Sequence, residues 1–294
     1  IFSYFLFESD LNKFIAVFTK EIKYKFHIMR GDTAFNDKKI KNAKKFYSKA
    51  IKLDPSNVLA YQKRGIANNY YANDHKNAID DFSKAISLQP NNPKIYIQRG
   101  ITKTKRNDYD SAIIDFSKAI SLDSKNSNAF ISRGITKHKK NDFNGAIRDF
   151  SIFIKLNPRS SNGFNLRGKS KHQLGQYEKA INDFSKAISL DLKNSNAFNN
   201  RGLTKYEKKD FYGAIDDFKK ANELDPYRSV LDRRNLLGMA YYSLGNKYKT
   251  IGEKNKVCQN YQGAAKNGYS VVMKYLKEYC PVEYKRVKYK IDFE

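Results

Sequence analysis

Residues Gly163 to Ser170 read Gly-Phe-Asn-Leu-Arg-Gly-Lys-Ser and fit the G-x-x-x-x-G-K-[ST] pattern of a phosphate-binding loop letter for letter. Such a loop works by following a strand, staying non-helical so that its N–H groups cradle phosphate, and then opening a helix. Lys169 and Ser170 can do this chemistry only if the elements around them supply that setting. The four histidines, His27, His75, His138 and His172, lie far apart, with no carboxylate or cysteine at ligand spacing. Two cysteines, Cys258 and Cys280, exclude a disulfide-dense scaffold and a four-cysteine zinc site, and leave room for one pair. No serine, histidine and aspartate group into a nucleophilic centre. The chain reads as non-enzymatic, with no metal site and no cofactor.

The elements that position these residues follow from an internal repeat. Arg-Gly pairs recur at Arg30-Gly31, Arg64-Gly65, Arg99-Gly100, Arg133-Gly134, Arg167-Gly168 and Arg201-Gly202, in steps of 34 or 35 residues. Ala43, Ala78, Ala112, Ala146, Ala180 and Ala214 are each followed four residues later by Tyr47 or by Phe82, Phe116, Phe150, Phe184 and Phe218. Three residues further on stand Ala50, Ala85, Ala119, Phe153, Ala187 and Ala221. Within a unit the apolar spacing is helical, as in Ala112, Phe116, Ala119 and Ile120. Breakers such as Asn107-Asp108 and Gly175 separate two helices, and Pro55, Pro90, Pro158 and Pro226 follow the second. A hairpin of this size cannot bury its own apolar faces, so the copies must stack.

This pattern resembles the tetratricopeptide repeat family. Its large residue, glycine, aromatic, alanine, aromatic and alanine appear in order as Phe164, Gly168, Tyr177, Ala180, Phe184 and Ala187, with Leu192 replacing the family's proline. The next copy keeps it: Phe198, Gly202, Phe211, Ala214, Phe218, Ala221, Pro226. The resemblance implies an all-α, right-handed superhelical solenoid of about seven helix-turn-helix hairpins with capping helices. Six units are expected at 24–57, 58–92, 93–126, 127–160, 161–194 and 195–228. A degenerate seventh unit with a C-terminal cap fills 229–280, and 281–294 reads as a basic tail. In this register Gly163 to Ser170 lie inside a first helix, which makes the loop pattern a coincidence.

Departures from the pattern carry expectations of their own. One extra residue between Asn68 and Asn77 should bulge the turn of the second unit, and Phe153 in place of alanine should push the neighbouring helix outward. Leu237-Gly238 and Leu244-Gly245 both fit the first-helix pattern seven residues apart, so one long helix from about Asp232 to Lys249 satisfies both. Gly252 then turns the chain into a helix through Val257, Tyr261 and Ala264, Gly268 ends it, and Ser270 to Glu278 form a cap. Cys258 and Cys280 come to the same end of that last hairpin, where a disulfide is feasible if their Cα atoms lie within about 7 Å. At the other end, residues 1–23 read as an amphipathic capping helix, with Phe7, Leu11, Phe14, Phe18 and Ile22 on one stripe. A membrane-surface anchor is the sharper alternative for that stripe.

The chain carries 56 Lys and Arg against 30 Asp and Glu, a net charge of +26. Because Lys, Asn and Ile are abundant throughout, general lysine enrichment is weighed ahead of a dedicated anion-binding role. With a mean hydropathy of -0.74 and no long apolar run, no membrane span is expected. The first residue is Ile rather than Met, so localisation stays open, cytoplasmic being slightly favoured over export. In five units an Asp (Asp81, Asp115, Asp149, Asp183, Asp217) stands level with the repeated Arg across the hairpin, which predicts an ion pair within each hairpin rather than a basic stripe for phosphates.

In the resembled family the concave face of the first helices holds a peptide. Carried onto this sequence, that face takes Ile97, Ile101, Lys105, Ile131, Ile135, His138 and Lys139, then Asn165, Lys169 and His172. The carboxylate clamp for chaperone tails needs lysine, asparagine and arginine at set positions of three successive units, and no three supply them. The expected function is a protein-interaction scaffold whose partner is a peptide or protein with acidic flanks. The alternative is a basic solenoid that binds nucleic acid.

Overall fold

The computed structural model describes residues 2–70, 74–226 and 230–291, except the side chains of 2–17, 230–235, 286 and 289–291. It divides into two compact units, Ile1–Asp142 and Phe143–Glu294. The first contains α1 (Phe2–Asn36), α2 (Ile40–Leu53), α3 (Val58–Tyr70), α4 (His75–Leu88), α5 (Pro93–Lys105), α6 (Tyr109–Leu122) and α7 (Ser127–Lys139). The second contains α8 (Phe143–Leu156), α9 (Ser161–Gln173), α10 (Tyr177–Leu190), α11 (Ser195–Glu207), α12 (Phe211–Leu224), α13 (Val230–Thr250), α14 (Lys254–Lys266), α15 (Met273–Tyr279) and α16 (Pro281–Ile291). Within each unit every helix packs on the next along the chain, and first helices also touch two apart, α3 on α5 and α9 on α11. Among the described residues there is no strand.

Local sequence sets the helix limits. Asn92, Asn126, Ser160, Asn194 and Asp210 accept from the backbone N–H two or three residues ahead and so satisfy a donor that the first turn would leave unpaired. Among the described turns between paired helices, Asn107, Asn141, Lys209 and Gly175 each supply one left-handed residue, with φ between 63° and 68°. Packing rests on a glycine facing a ring. A Cβ added at Gly100 would lie 2.8 Å from the Phe116 ring, and one at Gly202 would lie 2.9 Å from that of Phe218. Both rings are buried, each contributing about 1.5–3 kcal/mol of hydrophobic stabilisation.

Several expectations change in detail. The N-terminal helix and the first helix of unit 1 are one continuous α1, with no break at residue 23. Phe7, Leu11 and Phe14 lie outside the described side chains, while Phe18 and Ile22 are exposed; Tyr24 and Ile28 face the core instead. Phe153 is housed by a local exchange: Gly163 stands where three other units carry alanine, at Ala60, Ala129 and Ala197, and a Cβ there would meet the Phe153 ring at 2.9 Å. The expected bulge falls on 71–73, outside the described residues. The C-terminal cap opens as a 3-10 turn at Ser270–Val272 before α15. Residues 281–291 form α16 rather than a tail, because Pro281 occupies the first helical position, where a missing N–H costs nothing. Val287 of α16 joins the buried cluster around Tyr261.

Candidate functional site

The repeated arginines from Arg64 onward are half-buried and make no free cationic stripe. Arg64, Arg99, Arg167 and Arg201 each place Nη2 2.7 Å from the aspartate across their own hairpin, Asp81, Asp115, Asp183 and Asp217. Nε donates to the same carboxylate, which makes the pair bidentate. Two further contacts were not anticipated from the sequence. Nη1 of Arg64, Arg99, Arg133, Arg167 and Arg201 donates to a serine on the second helix of the preceding hairpin: Ser48, Ser83, Ser117, Ser151 and Ser185. Lys103, Lys171 and Lys205, one turn beyond their arginines, bring a second cation within 2.7–2.8 Å of the same aspartates. A serine directly follows five of the six rings, Phe218 being followed by Lys219, and a lysine stands four residues after Arg99, Arg133, Arg167 and Arg201. Arg30, which has no such aspartate, lies 5.0 Å from the Phe46 ring centre instead.

The ten residues assigned to a peptide groove divide by environment. In the first compact unit, Ile97 is half-buried and packs on the cluster of Tyr96, Ala119 and Ala129. Ile131, Ile135 and His138 are half-buried, while Ile101, at 38% exposure, and the cations Lys105 and Lys139 are exposed. Lys105 also sets its ammonium 5.7 Å from the Tyr70 ring centre. In the second compact unit Asn165 is buried and accepts from Asn200 at 2.9 Å, so it joins neighbouring first helices. His172 Nδ1 lies 3.0 Å from Thr204 Oγ1, and burial pushes its pKa below the ordinary histidine value. Lys169 is exposed. Lys169, His172, Phe184, Asn200 and Leu203 line one shallow pocket.

A pocket of the same register exists in the first compact unit, lined by Asp32, Phe35, Tyr47, Lys63 and Ile66. Its chemistry differs. The Tyr47 hydroxyl and the Lys63 ammonium both donate to Asp32 Oδ1 at 2.8 Å. Asp32 and Lys63 belong to the first and second units, outside the third to fifth units to which the expected groove positions belong; the tyrosine replacing phenylalanine at 47 is the available clue.

The remaining chemical motifs resolve into structure. Gly163 to Ser170 lie within α9, where Gly168 faces the Phe184 ring and the backbone N–H groups are spent on helical bonds, so the fragment is no phosphate loop. Cys258 and Cys280 are joined in a disulfide with their Cα atoms 5.6 Å apart. Glu283 lies near both sulfurs, but neither is available as a thiolate ligand. No described helix is long and apolar enough to cross a membrane.

Family models match in the same register. A tetratricopeptide repeat model matches residues 24–57, 61–92, 93–126 and 195–228, and a TPR repeat model matches 168–209; together they cover more than half of the chain. No curated protein matches by sequence. Among solved structures, the C-terminal part of a TPR repeat-containing protein from Cytophaga hutchinsonii superposes with a TM-score of 0.69 at 16% identity, over 84% of this chain and 96% of that one. A tetratricopeptide repeat protein from Parabacteroides merdae gives 0.63 at 16% identity, over 87% and 98%. YrrB, a TPR protein described as having an unusual peptide-binding site, gives 0.51 at 21% identity, over 62% and 93%. At these identities the likeness is one of fold, and it agrees with the glycine-on-ring hairpins and with the matched residues: the chain belongs to the tetratricopeptide repeat family.

Proposed function

We propose that the chain is a non-enzymatic scaffold that holds a peptide or partner protein against its first helices, between successive hairpins. The observation that carries this reading is Ile101, an exposed isoleucine on α5 with the exposed cation Lys105 one turn on. An apolar contact flanked by ammonium groups suits an extended or amphipathic peptide with acidic flanks. Half-buried Ile135 and exposed Lys139 repeat the arrangement on α7, and Lys169 with His172 is the polar counterpart in the second compact unit. The description of YrrB supports a peptide as the kind of occupant.

The test is Ile101→Asp combined with Ile135→Asp, read by pull-down and by melting temperature. Loss of partner capture with an unchanged melting temperature is expected. Loss of several degrees of stability would return both residues to the packing between first helices. The same pull-down with nuclease, and across a salt series, separates a protein partner from nucleic acid, whose capture by charge falls steeply with salt.

A further inference from the structure

Three hairpins show what surrounds the repeated aspartate when its setting is complete. Asp115 receives Arg99 and Lys103, Asp183 receives Arg167 and Lys171, and Asp217 receives Arg201 and Lys205. In two of them the lysine ammonium also turns to a backbone carbonyl at the start of the second helix, Ser111 O at 3.5 Å and Gly213 O at 3.4 Å. Carboxylate and carbonyl together form a small receptor for an alkylammonium, already occupied from within the chain.

The hairpin of α3 and α4 has the receptor without its occupant. Asn68 stands where the others carry lysine. Its Nδ2 donates to Asp81 Oδ2 at 3.1 Å, which fixes the amide orientation but brings no charge. Its Oδ1 is enclosed and has no hydrogen-bond partner, although the residue is only 2% exposed. A cleft opens beside it, lined by Asn68, Asp81, Asn77, Asp80, Arg64 and Lys44. Asn77, which holds the register of Ser111 and Gly213, is among the lining residues. Lys44 of α2 pairs with Asp74 at 3.4 Å rather than with Asp81. Burial raises the Asp81 pKa and the Asp80 carboxylate adds to it, against the Arg64 guanidinium and the Asn68 amide.

We infer that this cleft between α2 and α4 is a binding slot for a primary alkylammonium group, supplied by a lysine side chain of another molecule or by a free polyamine. The ammonium would donate to Asp81, repeating the bond that Lys103 and Lys205 make to their own aspartates, and to the orphaned Asn68 Oδ1. A net charge of +26 repels cations in general, so saturable uptake at this one place is a sharp signal.

The experiment is an NMR titration of the full chain with n-butylammonium chloride, a mimic of the lysine side chain. Tetramethylammonium chloride and sodium chloride at equal ionic strength are the controls. The Asn68 side-chain amide and the backbone amides of Asn77 and Asp81 should shift saturably with butylammonium, with a Kd on the order of millimolar, and not with the controls. Asn68→Lys fills the slot from within, and Asn68→Met fills it without charge; both should abolish the response. A capped Gly-Lys-Gly peptide, its Nε-acetylated form and 1,4-diaminobutane then identify the source. Tighter binding of the peptide, lost on acetylation, points to a lysine on a partner chain, and tighter binding of the diamine points to a polyamine. Equal shifts with tetramethylammonium or sodium, no saturation, or an unchanged response in either Asn68 variant would overturn the inference.

Discussion

The hairpins α5–α6, α9–α10 and α11–α12 and the C-terminal helices α13 to α16 share one packing device and differ in the polar bonds built on it. In both regions a glycine of the first helix faces a ring of the second: Gly100 on Phe116 in one, Gly245 on Tyr261 in the other. In the hairpins that contact is flanked by a bidentate Arg–Asp pair and a second lysine. In the C-terminal region Leu244 and Asn260 stand at the corresponding places. There, tyrosines and a covalent bond take over. The Tyr242 ring lies 5.3–5.7 Å from those of Tyr261, Tyr269 and Tyr275, the Lys249 ammonium sits 3.8 Å from the Tyr279 ring centre, and Cys258 is bonded to Cys280. The ring on the glycine therefore sets hairpin geometry, while the means of fastening it is exchangeable.

That contrast can be broken from either side. The largest effect is expected from Arg99→Ala with Lys103→Ala, which leaves Asp115 buried without either cation. Urea unfolding should show a loss of about 3–5 kcal/mol, whereas a loss below ~1 kcal/mol would class the cluster with ordinary surface pairs. Next comes reduction of the disulfide, which frees a loop with a sequence separation of 22 residues and should cost about 3 kcal/mol. Amide exchange should quicken in α14, α15 and α16 and stay unchanged in α5 and α6; equal quickening everywhere would contradict the separation of the two regions. The smallest effect sharpens the comparison within the hairpins. Burial raises the Asp81 pKa above its unfolded value, so the stability that this group contributes is present below the unfolded pKa and is lost as pH rises through the folded one. An asparagine in its place does not titrate, so any stability deficit of Asp81→Asn relative to the parent should shrink as pH rises through the carboxylate range. A deficit that grows with pH would reverse the assigned direction.

Much of this architecture was legible because the repeat displays the same physical requirement several times. Gly100 and Phe116 mean little singly, but six copies, five at one spacing and the Gly65 and Phe82 pair one residue longer, identify a helix pair and its contact. The Arg–Asp pairs were legible for a related reason, since two residues equidistant from a turn sit level in an antiparallel hairpin. The serine partners were not. Ser83 belongs to one hairpin and Arg99 to the next, and their proximity depends on how far successive hairpins rotate, which spacing within a unit does not encode. The candidate groove was legible only as a set of positions. Asn165 and His172 turned out to bond to Asn200 and Thr204 of the adjacent hairpin, because a polar residue at a first-helix seam finds a partner across it. At the chain ends, where no copy repeats the message, α1 runs through its expected break and Pro281 opens a helix where a basic tail is expected.

The double grip of the arginines reaches beyond any single contact. Because the guanidinium groups of Arg64, Arg99, Arg167 and Arg201 each hold the aspartate of their own hairpin with one edge and the serine of the preceding hairpin with the other, the intact state of one repeat is written into the energy of the next. In the language of a one-dimensional lattice, the side chain contributes at once to the site energy and to the nearest-neighbour coupling. An interior repeat cannot melt without cutting two such links, whereas a terminal one cuts a single link. Thermal disorder in each compact unit should therefore enter as a front moving inward from an end, with a correlation length of several repeats rather than one.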